Sequence, residues 1–300
     1  MAYDFKIRST VTEKGKTAYY AKLSGSGENE FFVGYKTYYK EQDAYGLYNS
    51  AQKTDLRYKG ADYEAQFGFW AMFIEPTALA ESGASFICLN TYDRAYFTFG
   101  FMQFAAHVPN GDFVIFLRSL LALANAADYF PRLKLIDGRI FYLADNGAKT
   151  QLESDTSTQP LMKYLNPGLS EVEQQELICS ARMIHWATND SAHRKIQVEE
   201  SIGLYKSNMV KYHKRLGLDG YPAKVCFMVC DILHQGRARY DRIASALDTK
   251  GNYEKAYLNL CSIGEVNYAD RIATLKKSIK NLEGNGVFNK TYHAATNSFI

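Results

Sequence analysis

Apolar and polar side chains alternate along the first forty residues. Phe5, Ile7 and Val11 follow the alternation loosely, and Phe31, Val33, Tyr35, Thr37 and Tyr39 follow it closely. That period belongs to a strand with one face on a core. Gly15 and Ser24-Gly25-Ser26-Gly27 punctuate the run, so residues 3–40 are predicted to form a small β-hairpin or meander. From Asp43 the spacing turns helical. Residues 64–82 read as a helix interrupted near Pro76, because Glu75-Pro76-Thr77 has the look of a helix restart. Residues 86–99 are aromatic and β-branched around a polar Asn90-Thr91-Tyr92-Asp93-Arg94 centre, the signal of a hairpin. Helical spacing resumes over 100–107 and 112–127. Residues 131–160 carry Gly138, Gly147 and a Ser/Thr-rich stretch at 154–159, and are predicted to be a linker or long loop. Ser170 and Glu173 form a capping box ahead of a helix over 171–188. Further helices are predicted near 190–216, 222–235, 238–248, 252–262 and 267–283, with Gly217 and Gly220 as stops.

These elements give an α+β class, mainly α. A β-rich segment, 1–62, precedes a region of 63–300 that divides into a helix–hairpin–helix part (63–130), a loop (131–160) and a helical part (161–300). The chain has 300 residues, of which 47% are hydrophobic and 22% charged, the composition of a globular protein with a sizeable core. It has 23 Tyr and 18 Phe against six Pro, and aromatic faces can stack on sugars as well as pack a core.

A net charge of +3 is too small for a nucleic-acid footprint. Residues 63–160 are acidic, with ten Asp/Glu against six Lys/Arg, whereas 1–62 and 161–300 are basic. A basic rim around an acidic centre suits an anionic polymer cut by carboxylates, although solvated surface explains excesses this small. The longest apolar stretches, such as Phe113–Ala127, carry Arg118 or fall short of a span, so no transmembrane helix is expected. Met1-Ala2-Tyr3-Asp4-Phe5-Lys6 has no apolar core of a signal peptide. The chain is therefore expected to be made in the cytoplasm. Five cysteines, an odd and sparse set, suggest neither a disulfide framework nor a zinc site. Cys226 and Cys230, four apart, are expected to be small buried hydrophobes on one helix face.

The chemistry concentrates in Ala80-Glu81-Ser82-Gly83, the hairpin, and Phe99-Gly100-Phe101-Met102-Gln103-Phe104. A carboxyl at the end of an apolar helix is expected to be partly desolvated. It would then hold a proton near neutral pH and pass it to a leaving oxygen. Glycosidic cleavage needs such an acid and a second group to steer water. Asp93 lies twelve residues further on, beside Arg94, on a hairpin that could fold back over the helix end.

Glu81-Ser82, Asp93-Arg94 and Phe99-Gly100-Phe101-Met102-Gln103 resemble the corresponding run of the goose-type lysozymes and lytic transglycosylases of the lysozyme superfamily. The likeness covers residues 80–104, with Asp93 one position nearer the glutamate than in the family pattern. It implies a lysozyme-like helical core with a small β-hairpin beside the catalytic helix, plus the N-terminal β-hairpin. It also implies a muramidase that cuts the β-1,4 bond between N-acetylmuramic acid and N-acetylglucosamine. Glu81 would be the general acid and Asp93 would position or activate water. Ser82, Tyr92, Thr98, Gly100 and Gln103 would bind the glycan, the glycine by letting it approach the backbone. No cofactor and no metal are expected. The expected partners are peptidoglycan strands and, for a bacterial effector, a cognate immunity protein, with no nucleic acid or membrane. Without a signal peptide, the protein would act in the periplasm or wall of a target cell as an antibacterial effector or phage lysin. The alternatives are a lytic transglycosylase, a chitosanase-like hydrolase and a non-catalytic phage structural module. Ala256-Tyr257-Leu258-Asn259 is at best a distorted form of the transglycosylase Ala-Tyr-Asn motif.

Plain readings stand beside these. Asp93 would be a turn residue capping its own hairpin, Met102 a core residue and His107 a helix-end histidine. His185 and His193 have no ligand set around them. The polar run Asp231-Ile232-Leu233-His234-Gln235-Gly236-Arg237-Ala238-Arg239-Tyr240-Asp241 would be either a cleft wall or a solvated junction with Arg–Asp pairs.

Overall fold

The computed structural model describes residues 2–50 and 54–300. Residues 51–53, within the stretch expected to turn helical after Asp43, lie outside the described residues. In chain order the N-terminal strands are β1 (Phe5–Val11), β2 (Thr17–Leu23), β3 (Phe31–Tyr39) and β4 (Ala44–Tyr48). Helices α1 (Glu64–Phe67) and α2 (Phe69–Ser82) precede β5 (Leu89–Asn90), β6 (Thr98–Phe99) and β7 (Phe104–Ala105). Then come α3 (Asp112–Leu121), α4 (Ala126–Tyr129), β8 (Leu133–Ile136), β9 (Arg139–Leu143), β10 (Lys149–Gln151) and α5 (Gln159–Leu165). The remainder is α6 (Gln174–Asn189), α7 (Ser191–Leu216), α8 (Ala223–Gln235), α9 (Tyr240–Leu247), α10 (Tyr253–Ser262) and α11 (Ala269–Gly284), closed by β11 (Tyr292–His293) and β12 (Ser298–Phe299). The class is α+β.

Contacts divide the chain into two compact units, residues 1–57 with 85–200, and residues 58–84 with 201–300. This partition differs from a linear division at residue 62. In the first unit β1 to β7 form one seven-stranded sheet in sequence order, every pair antiparallel. The hairpin β5–β6 therefore continues the N-terminal meander, through Tyr48 paired with Asn90. Phe5, Val33, Leu47, Phe97, Phe99 and Phe116 are buried in this unit. Trp186 is also buried and stacks on Tyr129 with ring centroids 4.6 Å apart.

Several sequence expectations are corrected here. The chain after Asp43 is strand β4: Asp43 takes a left-handed φ of 48° and turns the chain back onto β3. Residues 100–107 are turn and strand, because Gly100 and Gln103 both have positive φ, 89° and 56°, which no α-helix accepts. Residues 131–160 hold a three-stranded antiparallel sheet, β10-β9-β8. Its strands bury little beyond Leu133 and Ile140, so their alternation is faint in the sequence. The capping box before α6 is Glu173 with Glu176, three residues beyond the expected pair.

In the second unit α2 packs on α11 and α8 and runs unbroken through Pro76. An interior proline costs about 3 kcal/mol. Trp70, Phe73 and Ile74 are buried on the same helix at about 1.5–3 kcal/mol apiece, which outweighs that cost. Phe73 packs against Tyr205, Phe227, Phe288 and Phe299, with centroids 4.8 to 6.3 Å away. The observed α7 to α11 follow the predicted helices within about two residues. All five cysteines are buried and free. Among the described residues no helix is long and apolar enough to cross a membrane.

Candidate functional site

Helix α2 ends at Gly83, whose φ of 62° lets its N–H reach back to the carbonyls of Ala78 and Leu79. A Cβ would strain that conformation. Glu81 sits in this last turn with its side chain 16% exposed. Its Oε1 lies 2.9 Å from Nη1 of Arg271 and 3.6 Å from Nε2 of His234. Both of these contacts fall on the same oxygen. The carboxyl is thus paired with a guanidinium, in contrast to the apolar setting expected from the sequence.

Arg271 is itself held. Its Nη2 donates to Oδ1 of Asp231 at 2.7 Å and its Nε to Oδ2 at 3.3 Å. Asp231 also accepts from Thr77 Oγ1 at 2.9 Å and from Arg237 Nη2. The side chains of Asp231 and Arg237 are fully buried. Burial pulls the Arg271 guanidinium down, but Asp231 and then Glu81 outweigh it and shift it upward. The 231–241 run is therefore a buried ion network at this point. The solvated reading fails because Arg271, forty residues away in the chain, completes it. Sequence spacing gave no sign of that partner.

Glu75 lies six residues before Glu81 on α2 and was missed. Its half-buried carboxyl accepts the Gly60 N–H at 2.6 Å. Burial pushes its pKa up, more than the Gly60 hydrogen bond pulls it down. It lines a cavity of about 580 Å³ with Lys59, Met72, Leu79 and Lys277. A carboxyl raised by desolvation in a cavity is the general mark of an acid–base group. Its place next to Pro76 in an apolar helix was the signal available in the sequence.

The other predicted site residues fall as follows. Ser82 is buried in the second unit, its Oγ 3.4 Å from the Ala78 carbonyl. In the first unit Asp93 caps its own hairpin: Oδ1 accepts the Ala95 N–H at 2.9 Å and its carbonyl accepts the Tyr96 N–H at 2.9 Å. Asn166 Nδ2 donates to the carbonyls of Thr91 and Tyr96, both at 3.0 Å, and so clamps the loop that carries Asp93. Tyr92 is half-buried against Tyr39 and Tyr48, and burial pushes its hydroxyl up to about 12. Thr98 is buried on β6, paired with Asn90 and Ala105. A Cβ on Gly100 would collide with Gln197 Oε1, so the close approach there is to a protein amide. Gln103 folds its Nε2 back onto the Gly100 carbonyl at 2.8 Å.

Gln197 is a fixed point that the sequence did not announce. It donates to the Phe86 carbonyl at 3.0 Å and accepts from Phe101 N–H at 3.2 Å. His193, buried among Phe99, Phe116 and Trp186, is pushed down to about 3 by burial and stays neutral. Among the described residues no three His, Cys, Asp or Glu side chains are placed to hold a metal ion. Comparison with family models, with curated proteins and with solved structures finds no match to the chain.

Proposed function

We propose that the protein is a glycoside hydrolase that cuts the β-1,4 bond between N-acetylmuramic acid and N-acetylglucosamine in peptidoglycan. Glu81 gives a proton to the leaving oxygen, the glycosidic bond breaks, and water adds to the anomeric carbon. One observation carries this reading. The Glu81 carboxyl is oriented through Oε1 by an Arg271 that is locked on buried Asp231. A carboxyl held in place by a fixed partner keeps its position through a proton transfer. The likeness of residues 80–104 to the goose-type lysozyme run supplies the reaction class.

Glu75 favours a second assignment of the acid, because burial raises it and it opens on a cavity. Digestion of purified sacculi separates the two. Wild type is expected to release soluble muropeptides. Glu81→Gln is expected to lower the rate at least about a hundredfold, the usual range of general acid catalysis, and Glu75→Gln less than about tenfold. The reverse order moves the proton to Glu75. A Glu81→Gln protein as active as wild type removes the hydrolase reading as written. Reducing-end products distinguish hydrolysis from 1,6-anhydro products of a transglycosylase, and chitosan as substrate tests the chitosanase-like alternative. Growth arrest on periplasmic expression, relieved by a co-expressed neighbouring protein, would support the effector role and its immunity partner.

A further inference from the structure

The first unit holds a cavity of about 630 Å³, within the usual range for a small-molecule site. Strands β9 and β10, the residues just before β8, and helices α5 and α6 build it. Its lining includes Arg132, Tyr142, Lys163, Tyr164, Gln175 and Arg182, and among the described residues no carboxylate. The cations share this space without an equal number of anions. Arg132 is the partly neutralised one: Asp145, 85% exposed and outside the lining, pairs with it at 2.8 Å. Arg132 also donates to the Tyr142 hydroxyl at 3.0 Å.

Arg182 projects from α6 with its guanidinium carbon 5.8 Å from the centre of the Phe130 ring. Its Nε is buried and has no hydrogen-bond partner. A buried donor left unmade disfavours the empty state. Lys163 stands exposed at the mouth on α5. Arg132 and Arg182 both line the cavity and both act electrostatically on the Tyr164 hydroxyl. The rings of Tyr142 and Tyr164 stand 5.8 Å apart and 53° tilted, a cleft with an aromatic wall. Gln175 is anchored by its Nε2 to the Tyr164 carbonyl at 2.9 Å.

We propose that this cavity binds a small anionic ligand built on a ring, with its carboxylate or phosphate between Arg132, Arg182 and Lys163 and its ring against Tyr142 and Tyr164. Guanidiniums match both oxyanions in bidentate geometry, and tyrosine rings accept the apolar face of a sugar. The inference is independent of the hydrolase reading, since it concerns binding alone.

The test is calorimetric titration of the Glu81→Gln protein with N-acetylmuramic acid, glucose 6-phosphate and neutral N-acetylglucosamine. At least one anionic sugar is expected to bind saturably below about 1 mM, at least about tenfold tighter than the neutral one. The preferred oxyanion identifies the source. Arg182→Gln is expected to weaken that binding at least about tenfold. Lys163→Gln, at an exposed position that cannot unfold the protein, should weaken it a few-fold and lower its salt dependence. Binding of neither anion, equal binding of the neutral sugar, or anion binding unchanged in both variants would overturn the proposal. Because no cleavage is read, these outcomes are separable from failure of Glu81 as the acid.

Discussion

Asp231 of the second unit and Glu176 of the first are both completely buried carboxyls, and they solve the same electrostatic problem in opposite ways; Glu153 of the first unit, paired with Arg118 and Arg139, follows Asp231. Asp231 in the second unit is met by Arg237, Arg271 and Thr77. Glu176 in the first unit is met by the Thr91 hydroxyl and the Glu173 N–H, with no cation. Removing an anion from water is costly unless its charge is paired. Asp231 is paired twice. Glu176 is not, and burial outweighs its hydrogen bonds with Thr91, Glu173 and Leu47, raising it to about 7. Asp231 is thus a charge locked into the interior that orients Glu81 through Arg271. Glu176 is a carboxyl poised to change state near neutrality, at the root of the loop that carries Asp93.

The largest effect is expected from removing the locked charge. Asp231→Asn leaves two guanidiniums facing a neutral amide, and breaking a buried pair in this way costs about 3–5 kcal/mol. Denaturant unfolding should show that loss in stability. Arg271→Gln should cost less, because Asp231 keeps Arg237, yet it frees Glu81 and should lower activity on sacculi by more than it lowers stability. If Asp231→Asn proves nearly neutral, the contrast between the two carboxyls fails.

That contrast was only half legible in the sequence. The alternation of Phe31 to Tyr39 and the periodic C-terminal helices told the elements, since each pattern is local and each face meets one core. The Asp93 cap was legible for the same reason: Asx turns close within two residues. Asp231 stood in a run that looked like a solvated junction, because neither Thr77 nor Arg271 is near it in the chain. Residues 100–107 kept a helix-like spacing of aromatics, and only the left-handed backbone at Gly100 and Gln103 reveals a strand. The sheet at 133–151 was hidden because its strands cover little apolar surface. Gln197 and Asn166 pin distant backbone carbonyls by single amides, a role that no periodicity encodes.

The next effect concerns the poised carboxyl. In the unfolded chain Glu176 titrates near the ordinary value of 4.5, and in the folded protein at about 7. Between those values the folded state keeps a proton that the unfolded state has released. Stability from this group is therefore present in full below about 4.5, falls as pH rises, and levels off above about 7. Glu176→Gln removes the titration and keeps one acceptor for Thr91. Measured at pH 5, 6, 7 and 8, its stability relative to wild type should improve with rising pH, by on the order of 3 kcal/mol in all at about 1.4 kcal/mol per pH unit. A difference that stays constant with pH would mean that Glu176 is charged throughout, and that the Thr91 and Glu173 hydrogen bonds can replace a cation.

The smallest effect sharpens the comparison from the middle ground. Glu75 has one backbone donor and, among the described residues, no ion pair, like Glu176, but it is only half-buried beside a cavity that water can enter. Burial raises it, so its sign is the same: stability falls as pH climbs past the ordinary carboxyl range, and Glu75→Gln should flatten that fall. Solvent screening should make the change smaller than for Glu176, and melting curves at pH 4 and 7 should show Glu75→Gln and wild type converging at the acid end. If Glu75→Gln instead changed stability as much as Glu176→Gln, access to solvent would not be what grades these carboxyls. The graded behaviour would then have to come from their hydrogen bonds, which are fewer at Glu75 than at Glu176.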